Sequence, residues 1–166
     1  PIHSSAASDV YKRQLWDRMI DESTRSDIPL AGGGVMWVEP TRALTAIDLD
    51  SGSGDLAALL TAAPQAIARQ LRLRQTGGLV AVDVPRASPA AGRGFDEALE
   101  HALARDARSP ERIGRSRGGM TEIRIAHGRP GPAMWAADRV AVDALAALRA
   151  ISCLLYTSDA ADEWIG

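Results

Sequence analysis

The chain has 166 residues, with 19 Lys and Arg against 21 Asp and Glu and a formal charge of −2. That length suits one domain around one core, and the near balance of charge gives no global signal for a nucleic-acid-coating or membrane-surface protein. No apolar run approaches the ~20 residues of a membrane span.

The two ends read differently from the middle. SSAASDVYKRQ (4–14) and CLLYTSDAADE (153–163) back-translate to opposite strands of one oligonucleotide read in different frames, which is the mark of a sequencing-library adapter. Residues 1–14 and 153–166 are therefore expected to be non-native ends and are set apart from fold reasoning. Residues 15–152 are expected to be one domain, present as a fragment. The only cysteine, Cys153, and the only lysine, Lys12, fall in those ends, so the middle offers no disulfide framework and no thiolate metal site. It carries 17 arginines against 17 acids.

Taken in order, residues 15–33 are polar and run into the glycines 32–34, a breaker cluster. GVMWVE (34–39) reads as a short strand, and Pro40 and Thr41 as a turn. ALTAID (43–48) reads as a second strand, joined to the first as an antiparallel hairpin. Asp55 is placed to cap a helix over 55–63. Pro64 either kinks that helix or opens a second one over 64–74, with Ile67 and Leu71 on its inner face. LVAVDV (79–84) reads as a buried strand. FDEALEHALARD (95–106) is amphipathic, TEIRIA (121–126) alternates as a strand, and 133–151 is a long alanine-rich helix. The predicted order is β-β-α-β-α-β-α: an α/β fold whose mixed sheet has a β-hairpin followed by a right-handed β-α-β crossover. Trp37 and Phe95 read as core, which leaves no aromatic platform for stacking bases.

This topology draws attention to IDLDSGSGD (47–55). Asp48 ends the second strand, and Asp83 lies near the end of the strand after the crossover. If the two strands are parallel neighbours, both carboxylates emerge at one carboxyl edge, where open α/β sheets place their sites. Strands ~4.8 Å apart let two carboxylates share one hard cation, and Mg²⁺ takes one or two carboxylates plus water and phosphate. Such an ion polarises a phosphodiester and activates a water. The plainer alternative is that each aspartate is a turn or cap residue.

RQLRLR (69–74) and the basic stretch of Arg105, Arg108, Arg112, Arg115, Arg117, Arg124 and Arg129 also admit two readings. They are solvated faces, or they are phosphate contacts made through bidentate guanidinium groups.

GGGVMWVEPTRALTAIDLDSG followed by IARQLRLRQTGGLVAVDV resembles the catalytic region of the ribonuclease E/G family. That family's pattern runs E-x-T-x-A-L-T-x-I-D-x-N-S/T-G, then I-A-R-Q-L-R-L-R-x-x-G-G and V-I-D. The matching positions here are Glu39, Thr41, Ala43, Leu44, Thr45, Ile47, Asp48, Ser51 and Gly52, then Ile67 to Arg74, Gly77, Gly78, Val82 and Asp83. Clear similarity covers about residues 32–84, with a weaker echo through residue 126. The resemblance implies a DNase I-like α/β subdomain in which Asp48 and Asp83 bind Mg²⁺, or Mn²⁺, for hydrolysis of single-stranded RNA that leaves a 5′-phosphate on the downstream product. It also implies RNA contact through Arg69, Arg72, Arg74 and Arg124. The setting it implies is bacterial and cytoplasmic, with neither DNA nor membrane as partner and a homo-oligomeric intact parent.

The sequence departs from that pattern in places. Asp50 stands where the family has an asparagine that positions the first aspartate. An ionised aspartate only accepts hydrogen bonds, so Asp50 either joins the metal site or repels Asp48. The crossover is shorter than the family's. The later G-L-x-E-M-T-R-x-R pattern survives only as Gly119, Glu122 and Arg124. The family's C-P-x-C zinc link and its upstream OB-type RNA-binding domain are not found in this segment. These features resemble the shorter, divergent members, and they keep a non-catalytic RNA- or partner-binding descendant as the alternative.

Overall fold

The computed structural model describes residues 3–132 and, beyond them, residues 144, 145, 147, 148 and 151, which are helical. The rest of the helix expected over 133–151 lies outside the described residues. The chain divides into two compact units, 1–132 and 133–166, and the fold described here is that of the first. Its elements are α1 (His3–Thr24), β1 (Asp27–Pro29), β2 (Val35–Pro40), β3 (Thr45–Asp50), α2 (Leu56–Leu73), β4 (Gly78–Asp83), α3 (Pro89–Leu103), β5 (Glu111–Arg115) and β6 (Thr121–Ile125).

The six strands form one mixed sheet in the order β1-β2-β3-β4-β6-β5. β2 and β3 make the expected antiparallel hairpin, and β3 and β4 are the expected parallel pair joined through α2. α2 and α3 pack against each other and share one core with one face of the sheet. Met36, Val38, Ile47, Leu49, Val80, Val82, Ile123 and Ile125 point into that core and meet Leu59, Ile67 and Leu71 of α2 and Phe95, Leu99 and Leu103 of α3. The strict period of two in β3 and β6, buried-exposed-buried, is what a sheet covered on one side requires.

α2 begins where its sequence says it should. The Asp55 carboxylate accepts the Ala57 N–H at 2.9 Å, the bond of an N-cap. The helix then runs through Pro64 without a second start. A proline inside a helix costs about 3 kcal/mol, but Leu59, Leu60, Ala63, Pro64, Ile67, Ala68 and Leu71 are all buried along this helix, and tertiary burial outweighs local propensity.

Other elements depart from the sequence-based expectation. α3 starts at Pro89, ahead of the expected Phe95. Ser88 caps it by accepting the Ala91 N–H, and Pro89 sits at its first position, where a missing N–H costs nothing. β3 runs on to Asp50, so Asp48 is not its last residue. β1, β5 and α1 had no counterpart in the expected order; α1 crosses the boundary drawn at residues 14 and 15.

β5 contains a bulge between Arg112 and Gly114, where Gly114 takes φ +146, a backbone conformation open to glycine. The inserted residue has a directional effect. Arg112 and Arg115 are three apart and would face opposite sides of a regular strand. Here they partner Ile123 and Thr121, both on the buried side, so both arginines reach Asp96 of α3.

Candidate functional site

α2 and α3 cover one face of the sheet, and the residues of the other face fall in cross-strand rows. One row is Asp27, Trp37, Asp48 and Asp83, each the register partner of the next. The neighbouring row is Glu39, Ala46, Ala81 and Glu122. Asp48 and Asp83 are both exposed, and as direct partners on parallel strands they project to the same side, with Cα atoms ~4.8 Å apart by strand spacing. Small side chains, Ala46 and Ala81, stand beside them and leave space. A shallow hollow of about 270 Å³ opens between Trp37, Glu39, Ala46 and Asp48.

Two exposed carboxylates in register suit a hard divalent cation that keeps most of its waters. Among the described residues, no group of three or more His, Cys, Asp or Glu is gathered to hold a metal. A cation held here would have the pair as its protein donors among the described residues, with water and substrate oxygens in the remaining positions.

Asp50 is on the same strand face, but it is occupied. Its Oδ1 accepts the Gly52 N–H at 2.7 Å, closing the turn that leads to α2.

The arginines divide between the two layers. Arg69 donates from Nε and Nη2 to both carboxylate oxygens of Glu22, at 2.8 and 2.6 Å. The Gln70 amide adds a third bond to Glu22 at 2.9 Å. The Arg69 guanidinium, first by its hydrogen bonds, holds the Glu22 carboxyl below the usual range. Arg74 donates to the Gln70 side chain and to the carbonyls of Glu22 and Arg25, and its burial lowers its affinity for a proton. Among the described residues, the Arg72 guanidinium reaches the Ala102 carbonyl at 3.5 Å. These three belong to the helix layer, across the sheet from the acid pair. Arg124 is on the acid face, 71% exposed, and bound to Glu111 at 2.7 Å.

Much of the basic stretch is spent internally. Arg108 donates to both oxygens of Asp106 and to the Leu71 and Thr76 carbonyls. Arg112 pairs with Glu100 at 2.7 Å.

Two features are not apparent in the sequence. Trp37 is 41% exposed, against 2% for Phe95. Only Phe95 is core; Trp37 alternates with the buried Met36 and Val38 and so faces the acid side. The second is an open groove of about 570 Å³ at the carboxyl end of β4, lined in part by Asp83, Arg86, Arg93, Asp96 and Arg115. DVPRASPAAGR (83–93) places Arg86 and Arg93 soon after Asp83, but nothing local in that stretch marks a cavity.

Fold and site together define an α/β protein whose candidate chemistry sits at the carboxyl edge of its parallel strand pair. The chain belongs to the ribonuclease E/G family, whose sequence pattern matches residues 2–125. It is 36% identical over 115 residues to the chloroplastic ribonuclease E/G-like protein of Arabidopsis thaliana, covering 62% of this chain and 11% of that protein. It is 35% identical over 116 residues to ribonuclease E of Buchnera aphidicola, covering 64% and 13%. Against ribonuclease G of Salmonella typhimurium the identity is 27% over 113 residues, covering 63% and 23%. The chain thus spans between a tenth and a quarter of the length of these relatives. No helix among the described residues is long and apolar enough to cross a membrane.

Proposed function

We propose that this chain carries the catalytic centre of a metal-dependent endoribonuclease that hydrolyses single-stranded RNA. The observation that carries this reading is the register of Asp48 on β3 with Asp83 on β4, in a chain whose relatives are named ribonucleases. Asp48 and Asp83 hold Mg²⁺ or Mn²⁺. When bound, the cation supplies Lewis-acid polarisation of a phosphodiester and lowers the pKa of a water. Asp50 fixes the end of β3 through the Gly52 N–H and keeps Asp48 in register. Arg124, on the acid face with most of its guanidinium exposed, is the cation placed to meet a phosphate approaching the pair. Arg69, still 59% exposed while holding Glu22, is the helix-layer arginine with surface left for an RNA strand passing that side. Arg72 and Arg74 support it. The cytoplasm of a bacterium is the proposed setting, and a homo-oligomeric parent is proposed with it.

A second reading, a non-catalytic RNA- or partner-binding descendant, is favoured by the two-acid donor set and by Asp50 in place of an amide. One experiment separates them. Cleavage of a single-stranded RNA by the chain and by its full-length parent is compared with Asp48→Ala and Asp83→Ala, alongside calorimetric Mn²⁺ binding. Loss of both cleavage and Mn²⁺ binding in each variant is expected. Cleavage that survives both substitutions removes the site, and wild-type protein that binds RNA without cutting it establishes the second reading.

A further inference from the structure

We propose that the groove at the carboxyl end of β4 is a backbone-phosphate track, in which Arg86, Arg93 and Arg115 hold the phosphates next to the scissile one. This rests on the assignment of Asp48 and Asp83 above, because the groove begins at Asp83 itself. From there it passes along the segment 84–88 to the first turns of α3 and the turn between β5 and β6.

The electrostatics favour an anion. Arg86 and Arg93 are exposed and have no ion-pair partner among the described residues, so each keeps its N–H donors for a ligand. Arg115 is 39% exposed and makes one contact to Asp96, at 3.3 Å. The bulge in β5 is what turns it to this side. It lies over Gly92, where an added Cβ would meet its Nη2 at 3.7 Å. Of the two acids in the lining, Asp96 is held by Arg112 and Arg115, which leaves Asp83 alone against Arg86 and Arg93 even with no cation bound. Unspent positive charge therefore remains along the floor.

The lining also indicates which part of a nucleic acid binds. It contains no aromatic side chain, so it offers no surface for a base to stack on. Arginine forks match phosphate oxygens in pairs, and phosphate contacts set register without reading sequence. The groove is open along its length, which suits internal linkages of a passing strand more than one terminal phosphate.

The test is binding of a fluorescent single-stranded RNA of about ten nucleotides, without divalent metal, to the wild-type chain, Arg86→Ala, Arg93→Ala and the double variant; the salt slope is expected to fall by about 0.7 for each arginine–phosphate pairing removed. Arg93→Lys should restore the slope. A single neutral methylphosphonate linkage, walked along the RNA, should weaken wild-type binding at one or two positions and cause no further loss there in the alanine variants. RNAs with 5′-hydroxyl and 5′-monophosphate ends should bind alike, and inorganic phosphate should compete poorly. Unchanged salt slopes in the double variant, losses that follow the 5′-phosphate, or no measurable binding by the wild type each overturn the proposal. Cleavage by Asp48→Ala is read separately. Lost cleavage with normal binding by the arginine variants removes the track and leaves the catalytic site; retained cleavage with weakened binding does the reverse.

Discussion

Asp48 and Asp50 stand on the same face of β3, yet only Asp50 is tied to the backbone, through the 2.7 Å bond it accepts from the Gly52 N–H. Asp48 has no hydrogen-bond partner among the described residues. The two acids of IDLDSGSGD thus differ: one closes a turn, and the other stands in register with Asp83. The bond gives Asp50 a structural task at the end of β3; its effect on the acid pair is read by substitution.

Asp50→Asn is accordingly expected to keep the turn, because an amide oxygen still accepts the Gly52 N–H, and to remove one negative charge near Asp48. Mg²⁺-dependent cleavage should stay within about threefold of wild type or rise, a change below ~1 kcal/mol. A metal titration of the cleavage rate checks this. A loss as deep as that of Asp48→Ala would make Asp50 a ligand.

Trp37 and Phe95 provide a paired test of which face is covered. Phe95→Ala should cost about 3–5 kcal/mol, as deletion of a buried aromatic does. Trp37→Ala removes a side chain that is already 41% exposed and should cost about 1 kcal/mol or less. Urea midpoints at unchanged m-value give both numbers. Equal costs would mean that the acid face is covered in solution.

Asp106 and Arg108 tie the loop after α3 to the end of α2. The hydrogen bonds from Arg108 hold the Asp106 carboxyl below its usual range, and both side chains are largely buried, at 6% and 15% exposure. A depressed carboxyl contributes stability above its unfolded-state value, ~3.9, and loses it as pH falls through the folded value. Asp106→Asn should therefore cost about 3 kcal/mol near neutrality, since it leaves a buried guanidinium unpaired. The gap from wild type should close below about pH 4. Thermal unfolding of both proteins between neutral pH and pH 3 follows this; a gap that widens on acidification contradicts the assigned direction.

Arg74 and Arg69 both bind the end of α1, but in different surroundings. Arg74 serves two main-chain carbonyls and Gln70, so Arg74→Ala should cost about 1.5–3 kcal/mol, as loss of a charged donor does. Lysine should not restore it, because it lacks the fork. Arg69→Ala removes an exposed pair and should cost only about 0.5 kcal/mol. Denaturation of the three variants ranks them, and the opposite order would count against Arg74 as an anchor.

The parts of the fold legible in sequence were those that the core imposes. β2, β3, β4 and β6 each carry apolar residues at a spacing of two, and α2 and α3 carry Ile67, Leu71, Leu99 and Leu103 at helical spacing. The two strands with no such signal, β1 and β5, are the two edges of the sheet. Each is short; β1 carries Asp27 and Pro29, and β5 carries Glu111, Arg112 and Arg115, the residues that protect an edge from further pairing. The same residues remove the apolar signal from which a strand is read. The nearness of Asp48 to Asp83 was legible because one helical crossover makes β3 and β4 parallel neighbours; their direct register is seen only in the sheet. Trp37 reads wrongly as core because VMWV is apolar throughout, and only the sheet decides which of its alternate members is covered. The groove was not legible because it joins a loop, a helix start and a turn whose proximity depends on the edge strand.

That dependence bears on how the molecule can change over evolutionary time. Asp48 and Asp83 are set by the central strands, where any slip of register would turn the core outward. Arg115 is set by one extra residue in an edge strand that ends in solvent. An insertion or deletion there would redirect a cation toward or away from the groove while the central ladder stayed intact. The fold separates a fixed centre from an adjustable margin.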